Sequence, residues 1–220
     1  LDQERQLFGA PGGIMHDWDL KTNIDGIYAA GDQLFASDCA GFACSTGYYA
    51  GRKAADYSDT IEEPAEIDQA EVDAERERLY APMNRKELNM AISKAMQNYC
   101  GGVKNDDLLI QGIDLLKSYR EEIVPQLYCN NPHELMRTHE VLDILDVSEM
   151  ILQACLMRKS SSKQLCFYRS DYPQMDPKED HCFITIRQEN GVPVRGTVPG
   201  DYFGDLKTEY EKRNQDYIGG

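Results

Sequence analysis

Three successive apolar stripes in residues 84–158 constrain the fold more than any other feature of this sequence. Each stripe repeats every three or four residues, the spacing that puts side chains on one face of an α-helix. Three such helices with short connections predict an antiparallel three-helix bundle over residues 84–159. The stripes are Leu88, Ala91, Ile92, Ala95, Met96 and Tyr99; then Leu109, Ile113, Leu116, Ile123 and Leu127; then Leu135, Val141, Leu142, Leu145, Ile151, Leu152 and Cys155.

Local signals predict where these helices begin and end. The run Cys-Gly-Gly at 100–102 predicts the end of the first helix. The second should start near Asn105, and Pro125 should bend or end it. Asn131 is the predicted N-cap of the third helix, with Pro132 at its first position.

The pattern changes from helical to alternating after Lys159. "HCFITIRQENGVPVRGTV" alternates apolar and polar residues on both sides of Asn190-Gly191, which predicts a β-hairpin. The polar and aromatic tail that follows is expected to be a final helix or an extended arm.

Charge and composition exclude several classes of partner. The formal net charge is −15, and nucleic-acid backbones and anionic membrane surfaces both require a positive face. No apolar run approaches the ~20 residues of a transmembrane helix. Residues 58–83 are strongly acidic and predict an exposed linker leading into a helix, with Pro64 at an early helical position. The N-terminus lacks a signal-peptide pattern and an initiator Met, so a processed chain or a fragment is expected.

The seven cysteines form an odd set with no Cys-x-x-Cys spacing. This arrangement favours neither a zinc ribbon nor a paired disulfide framework. We expect most of the thiols to be reduced and the compartment to be cytoplasmic.

The segment "TNIDGIYAAGDQ" predicts a buried strand that ends on Gly31 and Asp32. Runs of this kind occur inside parallel sheets, whose ligands bind at the carboxyl ends of the strands. Gly31 would let the backbone approach a cofactor, and Asp32 would present a carboxylate to hydroxyl groups. The following helix is expected to start around Ser45, Thr46 and Gly47, with free N–H groups facing an anion or an electron-rich ring.

This segment resembles the last FAD-contacting segment of flavoproteins with two dinucleotide folds. "APGGI" upstream, the helical block, and "YRSDYPQMD" (168–176) downstream follow the order found in one superfamily. That superfamily comprises the flavoprotein subunits of fumarate reductase, succinate dehydrogenase and adenylylsulfate reductase. The segment from Arg158 through "HCFITI" is most similar to the adenylylsulfate reductase branch, and the resemblance extends from about Gly9 to Ile186.

The resemblance implies that the complete protein is an FAD-dependent oxidoreductase. Asp32 would hold the ribityl hydroxyls after Gly31, and backbone near Ser45, Thr46 and Gly47 would support the pyrimidine edge of the flavin. The complete enzyme would pass a hydride or an electron pair between FAD and a small anionic substrate. An iron–sulfur protein subunit is the implied electron-transfer partner; no catalytic residue and no metal site is assigned to this chain.

The chain contains no strand–GxGxxG–helix unit for the FAD pyrophosphate. The predicted fold is therefore mixed: a C-terminal fragment of an α/β FAD-binding domain (1–57), an acidic linker and helix (58–83), the three-helix bundle (84–159), and a β-hairpin with a C-terminal arm (160–220). An N-terminal FAD-binding portion or chain is an expected partner. This chain alone is expected to be inactive.

Several positions depart from the family pattern. The dicarboxylate reductases carry a substrate-site Arg before the flavin-facing helix, and no Arg lies between Asp38 and Ser45. The family's Glu-Ser/Thr-Arg triplet appears as three serines at 160–162, and Phe8 stands where a His is often found. These departures leave the substrate undetermined.

Two other functions remain open. Cys39 and Cys44 have the spacing of the redox pair of flavin disulfide reductases, although they follow the wrong strand for that class, so a flavin-linked dithiol enzyme is one alternative. A helical subunit-assembly module without activity is the other.

Two further groups of polar residues have structural interpretations. His16, Asp17 and Asp19 are too close in sequence to converge on one metal ion, and they predict a surface turn. Arg169 and Asp171 predict an ion pair that seats the hairpin, with a substrate contact for Arg169 as the alternative.

Overall fold

The structure, a computed structural model, describes residues 13–34, 39–62, 68–78, 85–163 and 165–218. It forms two compact units. The larger unit runs from Ile67 to Tyr202, and the smaller combines the chain before residue 67 with the chain from Phe203 onward.

The described elements follow this order along the chain. The helices are α1 (Cys39–Ser58), α2 (Gln69–Arg78), α3 (Arg85–Tyr99), α4 (Asp106–Ser118), α5 (Pro132–Met157), α6 (Pro177–Asp180) and α7 (Leu206–Ile218). The strands are β1 (Val103–Lys104), β2 (Tyr168–Arg169), β3 (Cys182–Glu189) and β4 (Val192–Pro199). A short 3-10 turn spans Gly31–Gln33.

Helices α3, α4 and α5 pack against one another around one apolar core. The core contains the central positions of the three predicted stripes: Leu88, Ile92, Ala95, Leu109, Leu116, Leu127, Val141, Leu145 and Leu152. The helical period of the three stripes is thereby confirmed. Ile151 is an exception, because its side chain is 43% exposed.

The predicted helix boundaries are confirmed at three positions. The side chain of Asn105 accepts the N–H of Leu108 at 2.8 Å and caps α4. Asn131 does the same for the N–H of Glu134 at 2.9 Å, and Pro132 opens α5. Each cap satisfies an N–H group that has no partner within its helix.

Helix α3 ends before Cys100, as the following Gly-Gly pair predicts. Neither of these two glycines adopts the positive φ of a left-handed cap. Lys104 supplies a different ending, because its ammonium donates to the carbonyl of Gly101 at 2.8 Å.

Pro125 closes the second helical segment, as predicted. Helix α4 continues as a π-turn over Tyr119–Ile123 and a 3-10 turn over Val124–Gln126, and the chain becomes extended at Leu127. The fully buried Leu127 then returns the chain to the core.

The β-hairpin is also confirmed. Strands β3 and β4 pair antiparallel from Cys182↔Pro199 to Glu189↔Val192. Asn190 and Gly191 both have positive φ, 52° and 81°, which is the geometry of a tight two-residue turn. The polar tail forms a helix, α7, rather than an extended arm.

The predicted buried strand before Gly31 is wrong. Ile24 is 57% exposed and Ile27 is 48% exposed, and the described ladder contact is a single antiparallel bridge between Lys21 and Tyr28. A parallel strand gains stability from neighbours on both edges, and the described residues place no second strand beside this one.

The acidic segment leads into a helix as expected. The carboxylate of Asp68 accepts the N–H of Ala70 at 2.8 Å, just at the start of α2. The predicted early helical position, Pro64, lies outside the described residues.

Within the described part of the chain, no helix has both the length and the apolar character needed to cross a membrane.

Candidate functional site

Gly31 forms a tight turn that is tied directly to α1. It is buried with a φ of +64°, a conformation that favours glycine. Its N–H donates to the hydroxyl oxygen of Thr46 at 3.0 Å, and that hydroxyl donates to the carbonyl of Phe42 at 2.6 Å. Thr46 therefore fixes the turn relative to the helix through its side chain.

A second backbone segment crosses the same turn. The N–H of Ile14 donates to the carbonyl of Gln33 at 2.7 Å. A Cβ atom at Gly13 would lie 2.4 Å from that carbonyl oxygen, so only glycine permits the crossing. This contact gives a structural reason for the second glycine of "APGGI".

Asp32 and the outer face of α1 leave polar groups accessible at this turn. Asp32 is exposed, and so are Gly41, Ser45 and Gly47. A Cβ atom at Gly41 or Gly47 would meet nothing within 4 Å. The backbone of α1 is therefore open to close approach at Gly41 and at Gly47, which lie on different sides of the helix.

The predicted start of the helix is wrong. Helix α1 begins at Cys39, so Ser45, Thr46 and Gly47 lie in its second and third turns. Their N–H groups are inside the helix, where backbone bonding uses them. The free N–H groups of α1 belong to its first turn, which begins at Cys39.

The proposed dithiol pair lies only partly within the described side chains. Cys44 is an exposed free thiol in α1. The side chain of Cys39 lies outside the described residues, so the alternative that depends on the pair stays a prediction.

The segment from His16 to Asp19 is a turn, but His16 is not at the surface as the sequence predicted. Its ring is 9% exposed and packs on Phe203 with the centroids 5.3 Å apart. Asp17 accepts the N–H groups of Asp19 and Lys21 at 2.8 and 3.0 Å. Among the described residues, no cluster of three or more His, Cys, Asp or Glu side chains could hold a metal ion.

Arg169 is the most completely bonded polar side chain of the larger unit. It is 1% exposed, and its guanidinium directs hydrogen bonds to five acceptors. Nε donates to one oxygen of Asp171 at 2.8 Å, and Nη2 donates to the other at 2.7 Å and also to Asp106. Nη1 donates to the carbonyls of Cys155 and Arg158 at 2.7 and 2.9 Å.

The ion pair predicted between Arg169 and Asp171 is thus confirmed, although its position differs. It joins β2 to the end of α5 and the start of α4 rather than seating the hairpin. All five N–H groups of a guanidinium are used in these bonds, so Arg169 has no donor left for a substrate. The alternative of a substrate contact is wrong for this packing.

Three charged groups surround Arg169 and determine the local electrostatics. Lys159 donates to both oxygens of Asp106 at 2.6 and 2.7 Å, and this bond, followed by Arg169, holds the pKa of Asp106 below its usual value. The hydrogen bond from Arg169 lowers the pKa of Asp171 to about 2. The N–H of Asp106 also donates to Asp171 at 2.8 Å. Both carboxylates are therefore ionised at neutral pH.

The three serines at 160–162 are buried and bonded, with side chains 0%, 7% and 2% exposed. The hydroxyl of Ser161 accepts the N–H of Arg169 at 2.8 Å and donates to the carbonyl of Tyr172 at 2.8 Å. Ser160 accepts the N–H of Asp176 at 3.2 Å. In this chain the triplet holds the loop after α5 in place.

Asp106 and Lys159 are members of this cluster that were not predicted from the sequence. Both lie in segments with ordinary helix-end signals, and Asp106 is 63 positions from Arg169. No periodic pattern connects residues that far apart. The only local signal was Asp106 itself, an acid at the first position of a helix, where acids are common for another reason.

Residues 89–195 match the family model described as the C-terminal region of the fumarate reductase flavoprotein. No curated protein matches the chain.

Solved structures share the fold at low sequence identity. FrdA of E. coli quinol fumarate reductase superposes with a TM-score of 0.70 and 18% identity, covering 88% of this chain and 38% of its own. Sdh1 of Mycobacterium smegmatis gives 0.64 and 22%, with 85% and 34% covered. Adenylylsulfate reductase of Archaeoglobus fulgidus gives 0.66 and 22%, with 78% and 31% covered. The chain spans about a third of the length of these proteins.

These matches confirm the resemblance predicted from the sequence. Residues 89–195 are similar to the C-terminal region of the fumarate reductase flavoprotein, and the solved structures share the fold of this chain.

Proposed function

We propose that this chain is the C-terminal part of an FAD-dependent oxidoreductase, to which it contributes one side of the flavin site and a helical domain. The observation that carries the proposal is the turn at Gly31 and Asp32, which Thr46 locks onto α1 beside an open helix face. The family match of the larger unit supports it.

The residues of the turn suit a flavin bound close to the backbone. Gly31 brings the chain near the ligand without a side chain, and the exposed Asp32 carboxylate can accept hydrogen bonds from the ribityl hydroxyls. Ser45 and Gly47 are exposed positions of α1 on either side of Thr46, which keeps the turn in register. When bound, FAD supplies the redox chemistry, and the protein orients it.

The substrate site and the phosphate cradle belong, in this proposal, to the N-terminal FAD-binding portion. Arg169 has used its donors internally, so it is not the cation that binds a small anionic substrate in this proposal. An iron–sulfur subunit remains the proposed electron-transfer partner. The free thiols of the described cysteines support a reducing, cytoplasmic compartment.

The test is flavin binding with and without the completing polypeptide. We would measure flavin absorbance after gel filtration for the chain alone with added FAD. The second sample would be the chain co-expressed with the polypeptide that supplies the strand–GxGxxG–helix unit. We expect stoichiometric flavin only in the second sample. In that complex, Asp32→Ala should weaken FAD binding about tenfold or more, because it removes a charged acceptor.

Asp56→Ala provides the matched control, because Asp56 is an exposed acid on α1 away from the turn. This variant should bind FAD as the unsubstituted complex does. Equal affinity of the Asp32→Ala complex would refute the assigned role of Asp32. A complex without flavin would refute the proposed function itself.

The outer face of α5 favours a second candidate, the subunit-assembly module. Ile144, Val147, Met150 and Ile151 are each 42–51% exposed and lie on α5 outside its core stripe. A helix that is apolar on both faces usually packs against something on both faces. A stable complex with the completing polypeptide that never acquires flavin would support this candidate.

A further inference from the structure

Cys100 and Cys155 face each other although they are 55 positions apart. Cys100 follows the last residue of α3, and Cys155 lies in the last turn of α5. Their Sγ atoms are 3.8 Å apart, within thiol hydrogen-bond distance. Both side chains are half-buried, so neither is sealed inside the core.

The surroundings make the two thiols unequal. Lys104 is anchored by its bond to the carbonyl of Gly101 and lies over the ring of Phe167, 5.0 Å from its centroid. The hydrogen bond from Cys155, with the charge of Lys104 adding to it, lowers the pKa of Cys100 to about 7. The same hydrogen bond, together with burial, raises the pKa of Cys155. Cys100 is thus the more readily ionised thiol, and the thiolate is the reactive form.

Other cysteines of the described chain have different surroundings. Cys129 is buried, and its sulfur lies 3.1 Å from the hydroxyl oxygen of Thr138. Cys166 is exposed, with a long contact from its sulfur to the carbonyl of Lys163. Cys129 and Cys166 therefore serve as internal controls for the reactivity of Cys100 and Cys155.

We propose that Cys100 and Cys155 are a dithiol site that is oxidised reversibly to a disulfide by small-molecule disulfides. This goes beyond the proposed flavin function and does not depend on it. The site joins the ends of α3 and α5, next to the carbonyl of Cys155 that Arg169 binds.

The reaction has two steps that balance. The Cys100 thiolate attacks one sulfur of an external disulfide such as oxidised glutathione, and one molecule of the small thiol leaves. The Cys155 thiol then loses its proton and attacks the sulfur of Cys100, and the second molecule of the small thiol leaves. Two protein thiols are oxidised to one disulfide, and one external disulfide is reduced to two thiols.

The bond requires only a small local movement. A disulfide has an S–S distance of about 2.05 Å, so the two sulfurs must approach by less than ~2 Å. Both residues lie at helix ends and are only partly buried. The closed loop would restrict the unfolded chain and so stabilise the oxidised form.

The experiment treats the full native chain with oxidised glutathione, blocks remaining thiols with an alkylating reagent, and maps tryptic peptides by mass spectrometry. The sequence places Cys100 in peptide 95–104, Cys155 in peptide 138–158 and Cys129 in peptide 121–137, one cysteine in each. We expect a cross-link between the first two peptides and its loss on reduction. We also expect the Tm of the oxidised chain to rise by roughly 5 °C or more.

Variants separate the two steps. Cys155→Ser should hold glutathione on Cys100, and Cys100→Ser should give no cross-link. Cys129→Ser and Cys166→Ser, the matched controls, should form the cross-link as the unsubstituted chain does.

Three results would overturn the proposal: full alkylation of both peptides after oxidation, a glutathione adduct on Cys100 of the unsubstituted chain without the cross-link, or cross-links that join other cysteines instead. The peptide map of the unsubstituted chain decides the matter even if a variant fails to fold. None of these measurements involves flavin. A negative result for the dithiol site therefore leaves the proposed flavin function unaffected, and a chain that binds no flavin leaves the dithiol proposal unaffected.

Discussion

At the scale of single residues, Arg169 carries more of the larger unit's polar organisation than any other described side chain. It neutralises two carboxylates and binds two carbonyls near the end of α5 while it is almost wholly buried. Burying a charge is unfavourable unless its partners and hydrogen bonds are complete. Here they are complete around the buried guanidinium, so a change at this position leaves several of its partners without a donor.

Arg169→Lys should therefore destabilise the chain strongly despite keeping the charge. A lysine ammonium has three donors and lacks the planar fork that reaches both Asp171 and the carbonyls. We expect the free energy of unfolding to fall by about 3 kcal/mol or more, measured by urea denaturation. The matched control is Arg187→Lys, whose side chain is 67% exposed in its pair with Glu189 and should change stability by less than ~0.5 kcal/mol. A loss as small as that of the control would contradict the role assigned to Arg169.

The cluster also predicts how stability depends on pH. The pKa of Asp171 falls from its ordinary value of 3.8 to about 2 on folding. A carboxyl group whose pKa is lowered in the folded state contributes stability above the unfolded pKa, and that contribution is lost as the pH falls through the folded pKa. The free energy of unfolding should thus decline between about pH 4 and pH 2, with Asp106 adding in the same direction.

Asp171→Asn removes the titrating group and should flatten this decline, as followed by urea denaturation at several pH values. The exposed Asp143 on α5 offers a matched control, and Asp143→Asn should keep the original slope. An unchanged acid dependence in Asp171→Asn would assign the decline to other groups.

At the scale of elements, Gly112 lets α4 approach both neighbouring helices. A Cβ atom there would lie 2.7 Å from Cβ of Tyr99 and 3.3 Å from both methyl carbons of Leu152. Glycine inside a helix normally lowers stability relative to alanine. At this position the close helix packing reverses that preference.

Gly112→Ala is expected to lower the free energy of unfolding by about 1–3 kcal/mol, because overpacking outweighs the gain in helix propensity. The control Gly102→Ala adds the same methyl group where nothing lies within 4 Å. Its effect should stay within about 0.5 kcal/mol. Chemical denaturation measures both, and a stabilised Gly112→Ala variant would contradict the close packing.

At the scale of the whole molecule, the two units have unequal cores. The larger unit buries nine apolar side chains in one cluster. In the described part of the smaller unit, the buried apolar side chains are Ala29, Leu34 and Ala50. The resistance of a segment to opening follows its buried contacts, so the units should differ in local stability.

Hydrogen exchange followed by mass spectrometry should place the slowest amides of the chain in α3, α4 and α5. Amides of residues 13–34 and 39–62 should exchange faster in the isolated chain and slow down when the completing polypeptide and FAD are present. Equal protection of both units in the isolated chain would contradict this prediction. If the protection of residues 13–34 and 39–62 stayed unchanged on completion, that result would contradict the proposed flavin site.

The sequence by itself determined the helices of the larger unit, their caps and the hairpin turn. These features depend on contacts between residues a few positions apart, such as Asn131 with Glu134, which any local segment can specify. Only the tertiary structure decided that Arg169 meets Asp106 and that Cys100 meets Cys155, since helix packing brings together residues separated by more than fifty positions. It also decided the geometry around Asp32. The apolar run before it reads as a strand, but a strand needs partners, and a run of side chains alone does not provide them.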